Sequence, residues 1–239
     1  MADFVQLKLA RRGFFSGGGF SGTFTPITAA VRNLGFLKHV SAIYTPDGMQ
    51  WKEQPLGFAS TFGDHDLFGG TISEQVNELA LRYSVGGDTF FDNNGGRNYS
   101  FGSRLTMVGK SVSLSFARAR RGIQAGGGFT FDTSWVEGEI LVNNLAFSKE
   151  VGVRLSADGG GTWFDSPAFF AGETTTSGTF VGIGAEVWRF KTPELSLNNA
   201  SPTFRFAVFY RHLVTGETFW DNNLGQDYRV SKSDGALVE

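Results

Sequence analysis

The chain has 239 residues, including 33 glycines, 25 phenylalanines and no cysteine. Glycine stands at roughly twice its usual share of about 7%. So many aromatic residues exclude a disordered chain, and the absence of cysteine excludes disulfides, thiolate metal sites and a cysteine nucleophile. The 21 basic residues are balanced by 23 acidic ones, with no basic excess in either half, which argues against nucleic acid as a partner.

Taken in chain order, the opening MADFVQLKLARRGFF has no signal-peptide pattern, and no apolar run reaches membrane-spanning length. A cytoplasmic protein with no membrane partner is expected, with non-classical secretion left open. Strand patterning follows: Val40, Ala42 and Tyr44 alternate with Ser41 and Ile43. The only helical signal is TISEQVNELAL, where Thr71 and Glu74 fit a capping box, and a turn of helix at most is expected there.

The second half then repeats the first. ARRG, GGGF, VRNLGFLKHV (Val31 to Val40), DG before Trp51 and FFDNNGGRNY recur in order as ARRG, GGGF, VNNLAFSKEV (Val142 to Val151), DG before Trp163 and FWDNNLGQDY. Repeats this long are domains, not solenoid units, and the boundary is placed at Thr106, giving domains 1–106 and 107–239. Val151, Val153 and Leu155 repeat the first strand, and Phe204, Phe206, Val208 and Tyr210 form another. The pattern predicts an all-β protein of two tandem antiparallel β-sandwiches, the second enlarged by loop insertions around GETTTSGTFVGIGAE and SLNNASP. The glycines punctuate the turns.

Alternation sends Phe90 and Phe219 to one face of their strands and Phe91 and Trp220 to the other. The inner pair is expected to fill core, and the outer pair to form a platform. The Asp-Asn-Asn that follows favours left-handed backbone and Asx turns, and its amides offer donors and acceptors. A plain hairpin with Tyr99 and Tyr228 packed back on the strand is the competing reading. Trp51 and Trp163 follow Asp-Gly turns, either capping the core or half exposed. Exposed aromatic rings beside Asn amides suit a sugar, whose C–H face stacks while its hydroxyls are bridged.

The motif VxNLxFxKxV, a Trp, then F[FW]DNNxGx[ND]Y is similar to the starch- and glycogen-binding module of family 21, found on fungal glucoamylases and glycogen-targeting phosphatase subunits. Both copies resemble it, over roughly residues 5 to 101 and 112 to 230. The resemblance implies immunoglobulin-like sandwiches that bind α-1,4-glucans without catalysis. It implies a site at Asn33, Trp51, Phe91, Asn93 and Asn98, repeated at Asn144, Trp163, Trp220, Asn222 and Asp227. A second site is implied beside Phe36 with Lys38 and Phe147 with Lys149. Phe36 and Phe147 lack the hydroxyl common there and are expected to be core. Phe91 and Trp220 replace the family's tyrosines, and Asp227 replaces an Asn.

Other signals carry less. Each Arg pair of ARRG reads as a solvated strand end, since a phosphate loop needs a following helix. Asp64, His65 and Asp66 read as a surface loop and not a metal site. Asp92 and Asp221 are the only motif acids and are expected to bond their own turns, so the two opposed carboxylates of a glycosidase are missing. The expected function is a non-enzymatic tandem binder of glycogen or starch, with no cofactor or metal. The alternatives are a scaffold recruiting a phosphatase or glucan enzyme, for which VSLSFA weakly resembles a docking motif, and a lectin for other glycans.

Overall fold

The computed structural model describes residues 3–62, 65–174, 184–196 and 203–231. Among these, helix is limited to 3-10 turns such as Gly109–Ser111 and Asn223–Gly225, and the rest of the regular structure is antiparallel strand. No described helix is long and apolar enough to cross a membrane.

The chain divides into two compact β-sandwich-like units, one comprising Met1–Ser111 with Glu173–Ala185, the other Val112–Gly172 with Glu186–Glu239. The break falls after Ser111 and not at Thr106, because Thr106–Val108 pairs antiparallel with the opening strand of the first unit. In that unit the strands are β1 (Val5–Arg11), β2 (Gly13–Gly17), β3 (Phe20–Arg32), β4 (Lys38–Thr45), β5 (Lys52–Phe62), β6 (His65–Ile72), β7 (Glu78–Val85), β8 (Asp88–Asp92), β9 (Tyr99–Ser100) and β10 (Thr106–Val108). They run in the order β10-β1-β3-β6-β5-β4-β7-β8, with β2 on β3 and β9 on β7. The TISEQVNELAL segment contains no helix: it ends β6, bends, and enters β7.

The second unit comprises β11 (Val112–Gly126), β12 (Phe129–Asn143), β13 (Lys149–Ser156), β14 (Phe164–Glu173), β15 (Ala185–Lys191), β16 (Leu195–Ser196), β17 (Thr203–His212), β18 (Thr218–Asp221) and β19 (Tyr228–Ser231). Its order, β11-β12-β15-β14-β13-β17-β18, is that of β1-β3-β6-β5-β4-β7-β8 strand for strand. Much of the inserted GETTTSGTFVGIGAE and SLNNASP sequence lies outside the described residues.

Period-two alternation builds both cores. Val40, Ala42, Leu79, Leu81 and Tyr83 are buried in the first, with Phe90 packed against them. Val151, Val153, Leu155, Phe204, Phe206, Val208 and Tyr210 are buried in the second, with Phe219 packed against them.

Each curled sheet is closed by one carboxylate. A bulge between Leu7 and Leu9 disturbs the β1 ladder, and the Leu7 N–H donates to Asp92 Oδ2 at 2.7 Å. The Tyr99 hydroxyl donates to the same carboxylate at 2.9 Å. The second unit repeats this at a bulge between Leu114 and Phe116, where the Leu114 N–H (2.8 Å) and the Tyr228 hydroxyl (2.7 Å) donate to Asp221. These aspartates were expected to bond their own turns. Asp92 does accept from the Asn94 N–H at 3.3 Å, but its main partners come from the opening strand and the closing tyrosine. Burial pushes the Asp92 carboxyl up against the pull of the Leu7 amide and Tyr99. Burial and the neighbouring aspartate hold Tyr99 and Tyr228 well above the ordinary phenol value, so both remain donors at neutral pH.

Three further expectations are corrected. Arg12 is no solvated strand end: its guanidinium donates to Val76 O and Gly102 O and lies over the Phe101 ring at 4.6 Å. His65 and Asp66 lie buried in β6, not on a surface loop, with Asp66 paired to Lys38, while Asp64 is outside the described residues. VSLSFA is part of β11 with Val112 and Leu114 in the core, which removes it as a docking peptide.

Replacing Asp221 with Ala strands a buried amide and hydroxyl, and is expected to destabilise the second unit by about 3 kcal/mol. In urea unfolding followed by NMR, resonances of the second unit should be lost at lower denaturant while those of the first hold their midpoint.

Candidate functional site

The two units present their outer aromatics on the same framework. In β8 and β18 the closing aspartate points inward, so the residue before it points outward. That residue is Phe91, opposite Arg82 on β7, and Trp220, opposite Phe209 on β17. Phe91 is 57% exposed, whereas Trp220 is half-buried between the Phe209 ring, at 5.3 Å, and the Arg154 guanidinium, at 5.2 Å.

The Asn-rich turn beyond each aspartate is the same in both units. Asn93 O accepts from the N–H of Asn98 (2.8 Å) and of Gly96 (3.1 Å), and Asn222 O accepts from Asp227 (2.8 Å) and Gly225 (3.1 Å). The side-chain oxygens of Asn93 and Asn222 also cap those glycine amides. Asn94, Asn98, Asn223 and Asp227 all have φ between 53° and 58°, the left-handed backbone the motif predicts. With their oxygens committed to the turn, Asn93 and Asn222 retain Nδ2 donors for a ligand.

A carboxylate also sets each tryptophan loop, a role the sequence reading missed although the Asp-Gly pair was its signal. Asp158 accepts from the Ser156 hydroxyl, the N–H of Gly161 and Thr162, and the Thr162 hydroxyl at 2.6 to 2.9 Å. The Trp163 indole N–H then donates to Gly160 O at 3.1 Å. Asp47 accepts in the same way from Thr45, Met49 and Gln50 ahead of Trp51. Trp51 and Trp163 are 46% and 38% exposed, so neither is a core cap.

In the second unit these parts meet. Arg154, Trp163, Ala207, Trp220, Asn222 and Asp227 line an open groove of about 370 Å³. Arg154 forms a two-pronged pair with Asp165 at 2.7 and 2.9 Å, which raises the arginine and holds the Asp165 carboxyl below the usual range. Arg205 donates to Asp227 at 2.8 Å. Register places Ile43, Trp51, Ala80, Phe91, Asn93 and Asn98 at the corresponding positions of the first unit, Ile43 opposite Ala80 as Arg154 is opposite Ala207.

Asn144 is not brought to these aromatics in the way expected. Asn144 accepts from Lys149 at 3.1 Å and does not line the groove, and Asn33 is exposed in the loop before β4. Phe36 and Phe147 were expected in the core but are 97% and 103% exposed. Their lysine neighbours point inward instead, Lys38 to Asp66 and Lys149 to Glu186 at 2.6 Å. Within a strand the one-residue gap of F-x-K would put both side chains on one face; they split because Phe36 and Phe147 precede their strands while Lys38 and Lys149 begin them. No group of three or more metal-ligating side chains occurs among the described residues.

Residues 127–231, which contain every member of this groove, match the model of a carbohydrate/starch-binding module, family 21. Among curated proteins the chain is similar to protein phosphatase 1 regulatory subunit 3E of Mus musculus, 40% identical over 95 residues, covering 40% of this chain and 30% of that protein. It is also similar to glucoamylase 1 of Rhizopus oryzae, 31% identical over 105 residues, covering 44% of this chain and 16% of that protein. Each match therefore spans less than a third of the relative. Among solved structures, the starch-binding domain of Rhizopus oryzae glucoamylase in complex with beta-cyclodextrin and maltoheptaose aligns at 21% identity and a TM-score of 0.34, over 41% of this chain and 92% of that one.

The hydrogen bonds to Asp158 hold its carboxyl well below the ordinary value of 3.8. A depressed carboxyl stabilises the loop fully above its ordinary pKa and loses that effect as pH falls through the lower folded value. In an NMR titration the Thr162 amide shift should hold down to pH 3.8 and move only below it; a midpoint at 3.8 or above contradicts the network.

Proposed function

We propose that the chain is a non-catalytic binder of α-1,4-glucans such as glycogen or starch, using one groove in each unit. The observation carrying this reading is the groove of Trp163, Trp220 and Asn222, which lies within the residues that match a carbohydrate-binding family. Flat indole surface suits the apolar face of a glucose ring, and the Asn222 amide and guanidinium donors suit its hydroxyls, directly or through water. Trp51, Phe91, Asn93 and Asn98 supply the equivalent groups in the first unit, whose likeness to that family rests on the internal repeat. Phe36 and Phe147 are free to meet sugar as a second site; Lys38 and Lys149, committed to buried ion pairs, position that loop and do not touch ligand.

A second reading, a glucan-associated scaffold that recruits a phosphatase or glucan enzyme, draws on relatives named as regulatory subunits of protein phosphatase 1. A pull-down from extract with the glucan-loaded chain tests it, and recovery of no glucan enzyme counts against it. A glycan array that returns other sugars and no glucan favours a lectin.

On glycogen affinity gels the full chain should be retarded, and Trp51→Ala with Trp163→Ala should remove the retardation. Each single substitution should leave partial retardation. With two sites on one polymer the intact chain gains roughly a hundredfold in avidity over either single-site variant. Unchanged mobility of the double variant overturns the groove assignment.

A further inference from the structure

We infer that Arg205 is a positioning residue that locks the two walls of the second unit's groove together, and that among the described residues of the first unit no single side chain bridges the corresponding turn and loop. The ligand named in its test rests on the glucan reading above. Arg205 lies on β17, in the register position that Glu78 holds on β7: Arg205 and Phe206 pair with Arg229 and Tyr228, as Glu78 and Leu79 pair with Ser100 and Tyr99. Its Nη2 donates to Asp227 at the end of the Asn turn (2.8 Å), and its Nη1 donates to Gly159 O in the tryptophan loop (3.1 Å). The guanidinium carbon lies 5.8 Å from the centre of the Trp163 ring. A methyl group on Gly160 would stand 2.7 Å from Arg205 Nη1, so the loop backbone closes directly on the guanidinium.

One planar cation thus touches the turn that carries Asn222 and the loop that carries Trp163, a fork geometry that lysine cannot reproduce. In the first unit the corresponding contact is Asn98 Nδ2 donating to Glu78 at 3.3 Å. It joins the turn to the strand and does not reach the Trp51 loop, which is held by Asp47, by Thr45 and by the Asn77 side-chain amide donating to Pro46 O. The change of Asn98 to Asp227 is matched by the change of Glu78 to Arg205, so the departure of Asp227 from the motif is one half of a paired exchange. A wall held before binding loses less side-chain freedom on binding.

The test uses the full chain. Trp51→Ala leaves the second groove as the reporter, and Trp163→Ala leaves the first. Adding Arg205→Ala should weaken maltoheptaose about tenfold by calorimetry in the Trp51→Ala chain, equivalent to immobilising one long side chain, and should leave the Trp163→Ala chain unchanged. Without sugar, hydrogen exchange of the Trp163 indole N–H should accelerate in Arg205→Ala and recover only partly in Arg205→Lys. Arg205→Glu with Asp227→Asn, which installs the pair of the first unit, should fold with wild-type thermal stability and still exchange fast at Trp163. Unchanged indole exchange in Arg205→Ala overturns the inference, as does an equal loss of affinity in both single-groove chains. If the unsubstituted chain fails to bind maltoheptaose, the glucan reading falls, and the exchange comparison still decides whether Arg205 holds Trp163.

Discussion

The inward-pointing aspartate at the end of β8 and of β18 is the constraint on which the rest of each unit depends. Asp92 and Asp221 take a bulge amide from the opening strand and a hydroxyl from the closing tyrosine, joining the first strand of the curled sheet to its last. A strand alternates, so a carboxylate fixed inward fixes the preceding aromatic outward. It also fixes where the Asn turn begins. The interaction that completes the core therefore sets the position of Phe91 and Trp220, and a hairpin packed by its tyrosine is at the same time the scaffold of a groove.

A second carboxylate does the same for each tryptophan. Asp47 and Asp158 gather amides and hydroxyls into a compact turn, delivering Trp51 and Trp163 at the start of β5 and β14. Where the units diverge is in how wall is joined to wall. The second unit uses guanidiniums, Arg154 over Trp220 and Arg205 beside Trp163, each balanced by an acid. Such partly exposed pairs add little to stability; their effect is on geometry.

Much of this was legible in the sequence. The strand alternation and the inward and outward split of the FF and FW pairs follow from a period of two, which survives folding because each core is one face of a sheet. The left-handed turn residues were legible because Asn, Asp and Gly are the residues that accept such backbone. Phe36, Phe147, Lys38 and Lys149 were not. Hydrophobicity places a phenylalanine inside and a lysine outside, but here the lysines enter the sheet with acidic partners two strands away, Asp66 and Glu186, that are distant in sequence. Arg12 was misread for the same reason, since its partners Val76 and Gly102 are brought near only by the fold.

The sequence by itself determined the class of fold and which aromatics and amides stand at equivalent places, because these depend on spacing along one strand or turn. Only the tertiary structure decided which of them share a groove: Trp163, Trp220, Asn222 and Asp227 converge, while Asn144 turns to Lys149. It also revealed that Asp227 and Arg205 answer Asn98 and Glu78 as pairs. Convergence depends on which strands lie side by side, and hydrogen-bond partners separated by tens of residues leave no local pattern. The many glycines show the same division, their number readable as turns, but the close approach of Gly160 to Arg205 visible only in the folded unit.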